Sequence, residues 1–399
     1  MKQMHNIPKG WKFLKLMNLV TQDIKNGYSP NCPDEPNGSW ILSLGNITEN
    51  GLDQSQAKPA PMNDDRVKDF LLEPGDFLIS RSNTLDKVGR TVLFRGEIEN
   101  CSYPDLLMRF RVDETQVTNE YLESYLRSTI VRKYIQGCAS GTSNSMVKIN
   151  KKVVEKIPVI LPPLPEQKTI AALLSTWDKA IEKTEQLIQA KEKRFKWLLR
   201  ELISEPLKTR EDTEWKKVKL GDIADIRTGS KDNQNKIADG KYPFFVRSQT
   251  VERIDSYSYD GEAILIPGEG KIGEIIHHLI GKFDYHQRVY KISDFSEATL
   301  GKYVFFYLKQ HFPKHAKKYS VKATADSLRL PVFKEMTVFL PPLEAQKGIS
   351  ETLVSAQYEI NLLTQLAYKY KTQKRGLMQK MLTGEWRVKP EIINQYMEE

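Results

Sequence analysis

The hexapeptide GEGKIG, from Gly268 to Gly273, has the glycine spacing of a dinucleotide-binding loop. Such a loop must be followed by a helix, because the helix N-terminus binds the pyrophosphate. The stretch that follows, EIIHHLIGKF, is rich in β-branched residues instead, and the corresponding stretch in the first half of the chain, TLDKVGR, lacks the first two glycines. We therefore predict a turn between two strands and no nucleotide site.

Two histidine pairs have spacings that could suit a metal ion. His311 and His315 would share one face of a helix, but Pro313 between them predicts that no continuous helix forms there. His277 and His278 are adjacent and would point to opposite faces of a strand. The chain also lacks a P-loop, the Asn/Asp-Pro-Pro-aromatic tetrad of amino-methyltransferases and a metal-dependent nuclease motif. The sequence therefore predicts a binding protein with no catalytic residue and no metal site.

A proline-rich phrase occurs twice, as LPPLPEQKTI from Leu161 and as LPPLEAQKGI from Leu340, with seven of ten positions identical. Other landmarks recur in the same order: WKFLKLMNL with WKKVKLGDI, KVGRTVLF with KIGEIIHH, and YLESYL with YVFFYL. Between them lie short apolar runs bounded by Gly, Pro, Asn and Asp, which are typical of strands. We interpret the chain as two duplicated α+β halves.

The periodicity after each phrase is that of a long helix, with seam positions that alternate by four and three residues, as in a coiled coil. A helix of this length is too long to be covered by one domain of about 150 residues, so we expect the two helices to pack on one another. The predicted organisation is a first domain over 1–160, a first spacer helix over 161–205, a second domain over 206–339, a second spacer helix over 340–386 and a C-terminal tail over 387–399. The predicted seam residues are Ile170, Leu174, Trp177, Ile181, Ile188, Leu198, Ile349, Leu353, Ile360, Leu363 and Leu377.

Composition narrows the class of protein. The 399 residues carry a formal net charge of +9, which favours a polyanionic partner. No apolar run is long enough to cross a membrane, and the first residues do not have the pattern of a signal peptide. The cysteines, Cys32, Cys101 and Cys138, are odd in number and widely spaced. We therefore expect free thiols in a cytoplasmic protein.

The two halves, each with a Gly-Asp/Glu-apolar strand and each closed by LPPL-x-x-Q-K before a long helix, resemble the specificity subunit of type I restriction-modification systems. This resemblance covers essentially the whole chain. It implies an α+β fold in which two duplicated target recognition domains are separated by two long antiparallel helices that form a coiled-coil spacer. In one respect the second phrase departs from the first, because Glu344-Ala345 stands where the first has Pro165-Glu166.

The resemblance also implies a function and its partners. Each half would read one part of a bipartite sequence in double-stranded DNA, and the helices would set the gap. Two modification subunits, which methylate adenine, would dock on the spacer, and restriction subunits would join them. S-adenosylmethionine, Mg²⁺ and ATP are expected on those partners, with no cofactor in this chain.

Residues that could contact DNA are those able to hydrogen-bond base edges or phosphates. Those predicted in the first half are Arg81, Asn83, Lys87, Arg90, Thr142, Asn144 and Lys148. Those predicted in the second half are Arg247, Gln249, Lys271, Arg288, Lys317, Lys318, Tyr319 and Lys322. Any one of them could equally be a solvated surface residue. A non-catalytic coiled-coil scaffold that joins two protein-binding domains is the alternative function, and a stand-alone enzyme is disfavoured by the missing motifs.

Overall fold

The computed structural model describes residues 7–141, 146–203, 215–319 and 327–398. The chain divides into two compact units, one formed by Met1–Lys183 with Ala367–Glu399 and the other by Thr184–Leu366. Each unit contains one strand-rich domain and part of each long helix. No helix in the described ranges is long and apolar enough to cross a membrane.

The first half of the chain is built from short strands and helices. Its strands are β1 (Lys12–Lys15), β2 (Lys25–Asn26), β3 (Trp40–Ile41), β4 (Lys58–Pro59), β5 (Phe77–Ser80), β6 (Ser82–Asn83), β7 (Thr91–Leu93), β8 (Cys101–Ser102), β9 (Leu107–Phe110), β10 (Val147–Lys148) and β11 (Pro158–Leu161). Its helices are α1 (Asp65–Lys68), α2 (Asn119–Leu126), α3 (Thr129–Cys138), α4 (Lys151–Glu155) and the long α5 (Leu164–Ile203). The central antiparallel sheet has the order β2-β9-β5-β7, and the rings of Phe77 of β5 and Phe110 of β9, which are paired across the two strands, stack at 5.2 Å in the core.

The second half repeats this plan around a larger sheet. Its strands are β12 (Lys216–Lys219), β13 (Asp225–Thr228), β14 (Tyr242–Phe245), β15 (Val251–Ile254), β16 (Tyr259–Pro267), β17 (His277–Tyr285), β18 (Val289–Ser293) and β19 (Thr337–Leu340). Its helices are α6 (Leu220–Ile223), α7 (Gly301–Lys317), α8 (Leu330–Lys334), the long α9 (Leu343–Leu382) and α10 (Pro390–Glu398), the last within the predicted tail. Six strands form one sheet in the order β13-β18-β16-β17-β14-β15.

One sequence-based expectation about this half is wrong. The helix α7 runs through Pro313 without ending, although a proline removes one backbone hydrogen bond. Phe312 and Ala316, which flank it, are fully buried in the second core, and this packing offsets the lost bond. The turn predicted at GEGKIG is confirmed, because it lies between β16 and β17.

The duplication is visible in the way each domain is closed. The strand that begins each half pairs antiparallel with the strand that precedes the proline phrase, β1 with β11 and β12 with β19. Tyr121 donates its hydroxyl to the carbonyl of Ile160 at 2.7 Å, and Tyr303 does the same to Phe339 at 2.8 Å. The landmarks that recur in the sequence therefore contact one another in each copy.

The glutamine of each phrase is buried and has its polar groups fully used. Gln167 Oε1 accepts from the backbone N–H of Thr118 at 2.9 Å, just before α2, and its Nε2 donates to the carbonyls of Pro162 and Gln116. Gln346 accepts from Leu300 N–H at 2.8 Å, just before α7, and donates in the same way to Pro341 and Ala298. These bonds fix the start of each long helix to its own domain.

The long helices have 40 residues each, about 60 Å at 1.5 Å per residue, and run antiparallel. In the first unit Trp177 packs edge-on against Tyr370 at 5.6 Å, and Lys374 contacts Asp178. In the second unit Lys191 pairs with Glu359 at 2.6 Å. All eleven predicted seam residues are buried or half-buried. Leu199 and Ile203, which the prediction omitted, are also buried.

Candidate nucleic-acid interface

Two stretches of the first half that are far apart in sequence meet in a two-stranded antiparallel ribbon. In it β6 pairs with β10, with Asn83 opposite Val147 and Ser82 opposite Lys148. The carbonyl of Arg81 extends the pairing by accepting from Ile149 N–H at 2.9 Å. The structure thus brings together Arg81, Asn83 and Lys148, of which Lys148 is exposed. The predicted residues Thr142 and Asn144 lie outside the described residues.

The loop that follows β6, residues 84–90, carries Lys87 and Arg90. It is closed by a hydrogen bond from Gly89 N–H to the carbonyl of Ser80 at 2.7 Å and by the reverse bond from Ser80 N–H to Arg90 at 2.9 Å. Lys87 is exposed and Arg90 is half-buried. These bonds hold the backbone of the loop, from which the two side chains project, in one conformation.

Helix α3 supports this loop through groups that the sequence analysis did not single out. Arg132 donates to the carbonyls of Asp86, at 3.0 Å, and Val88, and Gln136 donates to that of Leu85 at 3.2 Å. The feature of the sequence that could have indicated this support is the pair of long polar side chains, Arg132 and Gln136, on the helix that packs against the loop. Their targets are backbone atoms, however, which carry no sequence pattern.

A glycine in each half lets the loop approach the following helix closely. Gly89 has a φ of +70°, and a Cβ at this position would lie 2.5 Å from Ile135 of α3. Gly273, its counterpart in KIG, has a φ of +75°, and its Cβ would lie 2.9 Å from the Cα of Pro313 in α7. Both the left-handed backbone and the absent side chain are therefore required.

Two candidate residues of the second half meet at an acidic residue that was not predicted from the sequence. Glu269, in the glycine-rich turn, pairs with Arg247 at 3.1 Å and with Arg288 at 3.4 Å. Lys271 and Gln249 are exposed in the same turn and in the neighbouring loop. One carboxylate therefore holds two of the predicted guanidinium groups together.

A shallow cavity of about 330 Å³ lies beside this cluster. Asn233 and Lys236 line it together with Arg247, Ser248 and Gly270. Neither Asn233 nor Lys236 was predicted from the sequence, although both have the donor groups that DNA recognition uses. They lie in a short helical turn after β13, and long-range folding alone brings this turn to the cluster.

His286 fixes the backbone next to Arg288. Its Nδ1 accepts a hydrogen bond from Arg288 N–H at 2.9 Å, which requires that this nitrogen be unprotonated. Burial and then the nearby Arg247 cation lower the pKa of His286. The neutral imidazole is therefore the form that supports the Arg288 loop at neutral pH.

The C-terminal end of α7 carries Lys317, Lys318 and Tyr319, all exposed. Lysines here are stabilised by the negative end of the helix dipole. The glycine-rich turn joins the stretch that follows them, since Leu328 N–H donates to the carbonyl of Gly268 at 2.7 Å. Lys322, the remaining predicted residue, lies outside the described residues.

The histidine pair of α7 binds carbonyls. His311 Nε2 lies 3.3 Å from the carbonyl oxygen of Ile203, and His315 Nε2 lies 2.8 Å from that of Val332. Within the described ranges no group of three or more His, Cys, Asp or Glu side chains is placed to hold a metal ion. The described arrangement offers cationic and amide donors for binding.

Comparison with known proteins agrees with this geometry. Residues 8–192 and 212–369 match the family described as type I restriction modification DNA specificity domain. The chain is 23% identical over 432 residues to a Methanocaldococcus jannaschii protein described as a type I restriction enzyme MjaX specificity subunit, covering 96% of this chain and 95% of that one. It is 30% identical over 182 residues to the EcoDI specificity subunit of Escherichia coli, covering 44% and 40% of the two chains.

Solved structures with the same fold include the S subunit of a type I restriction-modification system from M. genitalium, with a TM-score of 0.65, 16% identity and coverage of 96% of this chain and 98% of that one. A chain from a structural study of complex assembly and conformational transition in the type I R-M system gives a TM-score of 0.61, 16% identity and coverage of 96% and 100%. The predicted duplication, fold class and family are confirmed. Because the family matches both halves, each half is a DNA specificity domain, and the chain belongs to the specificity (S) subunits of type I restriction-modification systems.

Proposed function

We propose that the first unit reads one part of a bipartite DNA target through the β6–β10 ribbon and the loop of residues 84–90. The observation that carries this proposal is the pairing of Asn83 with Val147, which unites two donor-rich stretches that are separate in sequence. A two-stranded ribbon is one of the elements that fit the major groove of B-DNA. In this ribbon, Arg81, Asn83 and Lys148 are the residues that contact DNA, and Lys87 and Arg90 act from the loop.

The second part of the target is read by the loops around Glu269. Arg247, Gln249, Lys271 and Arg288 offer donors from neighbouring loops, and the exposed lysines at the end of α7 offer phosphate contacts. The carboxylate of Glu269 orients two guanidinium groups before DNA arrives, which favours targets whose bases match that arrangement.

The remaining roles belong to the assembly. The paired helices α5 and α9 set the gap between the two parts of the target and dock two modification subunits, which restriction subunits then join. S-adenosylmethionine, Mg²⁺ and ATP bind those partners, and this chain catalyses no reaction. The assembly acts in the cytoplasm. Support for these roles comes from the family match over residues 8–192 and 212–369.

A domain exchange tests the two-part reading. Residues 206–339 are replaced by the corresponding domain of a related subunit, and methylated adenines are mapped in a genome that carries the hybrid. We expect one part of the target to change while the other part and the methylation level stay the same. The reciprocal exchange of residues 1–160 is the matched control and should change the other part. A change in both parts after a single exchange would contradict the proposal.

A measurement of DNA binding distinguishes the proposed function from the scaffold alternative. Assembled with its modification subunits, the chain should bind duplex DNA with an affinity that falls steeply as salt rises, because phosphate contacts release counterions. A complex that forms normally but shows no salt-dependent affinity for duplex DNA would favour the scaffold.

A further inference from the structure

Three arginines converge on one cavity of the first unit, which has a volume of about 340 Å³. Arg90 comes from the loop of residues 84–90, Arg127 from the junction between α2 and α3, and Arg132 from α3 itself. Of the three, only Arg90 is among the residues predicted from the sequence to contact DNA.

The guanidinium groups of Arg127 and Arg132 are held chiefly by backbone carbonyl oxygens. Arg127 donates to the carbonyl of Glu49, and Arg132 donates to those of Asp86 and Val88, so the partners are neutral oxygens. Among the described residues neither Arg90 nor Arg132 forms an ion pair with a carboxylate. A guanidinium that is bound through carbonyls keeps its full charge and its remaining N–H donors.

The carboxylates nearest to the cavity either bind another arginine or are fewer than the guanidinium groups that line it. Glu123 lies 3.9 Å from Arg127, but its carboxylate is bound by Arg95 at 2.6 Å. Asp86 and Glu49 also line the cavity, and the carboxylate of Asp86 accepts a hydrogen bond from the Thr84 hydroxyl at 2.5 Å. With three guanidinium groups and two carboxylates along its wall, the cavity carries a net positive charge.

The positive charges of these arginines repel one another. Burial and then the like charge of Arg90 lower the pKa of Arg132, because the two guanidinium groups lie close enough to repel one another. An anion in the cavity would remove that repulsion and use the free N–H groups. Guanidinium groups bind phosphate well because their N–H donors form a planar fork that matches its oxygens.

We propose that this cavity binds one phosphate of the DNA backbone and so fixes the register of the first unit on its half of the target. This inference rests on the proposed DNA contact of the first unit. The site is specific to this half. In the second half Glu274 stands at the position of Arg90 in the repeated KVGR and KIGE. Lys309 follows YVFFYL at the position where Arg127 follows YLESYL. Its ammonium group packs against the rings of Phe195 and Phe305.

Arg90 provides the cleanest test, because its side chain makes no hydrogen bond within the described part of the chain. The subunit, assembled with its modification subunits, is titrated with a fluorescein-labelled random-sequence duplex at several KCl concentrations. We expect Arg90→Gln to reduce the slope of log affinity against log salt by about 0.9, the value for one lost phosphate contact. Arg90→Lys should restore most of that slope.

A matched control separates a bound phosphate from a change in overall charge. Lys68→Gln removes one positive charge from the same unit, at an exposed residue that pairs with Asp65 at 2.7 Å, and should leave the slope unchanged. The inference is overturned if Arg90→Gln keeps the wild-type slope while its thermal unfolding is normal, or if Lys68→Gln lowers the slope equally. If the wild-type complex does not bind duplex DNA at all, the proposed function fails and this inference fails with it.

Discussion

Glu166 and Arg387 form a two-pronged ion pair, in which Nε and Nη2 of the arginine lie 2.7 and 2.8 Å from the two carboxylate oxygens. The same carboxylate accepts from the indole N–H of Trp11 at 3.0 Å and is almost completely buried. It therefore joins the start of the chain, the start of α5 and the segment after α9 within the first unit. In the second phrase Glu344 is 85% exposed and pairs only locally with Lys347 at 2.7 Å. The departure between the two phrases thus marks a real structural difference.

Removing Arg387 should destabilise the first unit. We expect Arg387→Leu to cost about 2 kcal/mol, since it leaves the Glu166 carboxylate buried with only the indole N–H as a partner. Lys347→Leu is the matched control at the other phrase and should cost less than about 0.5 kcal/mol, because Lys347 and its partner Glu344 are both exposed. Urea denaturation followed by circular dichroism measures both. Equal costs would show that the burial of Glu166 has no energetic consequence.

Charges in the helix seam should prevent assembly. Ile181 and Ile360 are both buried, so replacing each by Asp places an unpaired carboxylate in an apolar seam, at a cost of about 3 kcal/mol or more. We expect the double variant to lose association with modification subunits, measured by sedimentation velocity. Lys179→Asp, on an exposed position of α5, is the control and should assemble normally. Normal assembly and activity of the double variant would refute the paired-helix interface.

Stability of the second unit should fall as pH decreases. The pKa of His286 is lowered by burial and by Arg247, so below the ordinary histidine value of about 6.5 the unfolded chain takes up a proton before the folded one does. The contribution is present above that pH and is lost as the pH falls through the folded pKa. Thermal unfolding between about pH 8 and pH 5 should show this loss.

The control variant for the pH effect is His286→Asn, whose side-chain oxygen can accept the bond from Arg288 N–H but does not titrate. Its unfolding temperature should vary less over the same pH range. An unchanged pH dependence in this variant would assign the effect to other groups.

Glu269 should limit the affinity of the second unit for DNA of any sequence. Glu269→Gln frees Arg247 and Arg288 and adds one net positive charge, so we expect several-fold tighter binding to random-sequence duplex and weaker discrimination between targets. Glu335→Gln, which makes the same charge change at a residue paired with Lys219 at 2.6 Å, should alter neither. Competition binding with labelled duplexes reads both quantities. Unchanged affinity in Glu269→Gln would show that its arginines do not reach DNA.

What the sequence could predict depends on the range of the interactions involved. The helix seam and the turn at GEGKIG follow from local periodicity and from glycine spacing, and both are visible without a fold. The pairing of Ser82 with Lys148 and the meeting of Arg247 with Arg288 depend on where distant strands lie, so the sequence could name these residues but not group them. Pro313 was misread because a local penalty was weighed without the buried packing of its neighbours. The role of Gln167 escaped notice because its partners are backbone atoms.

The contacts of Gly89 with Ile135 and of Gly273 with Pro313 bear on how such a chain could acquire a new target during evolution. With no side chain between loop and helix, each surface is shaped by the other, and neither can be inherited alone without a clash or a gap. A recombination event that carried only residues 84–90 into another subunit would leave the incoming loop on a foreign helix. The smallest heritable module for sequence reading therefore extends from the loop through α3 in one half, and from the glycine-rich turn through α7 in the other.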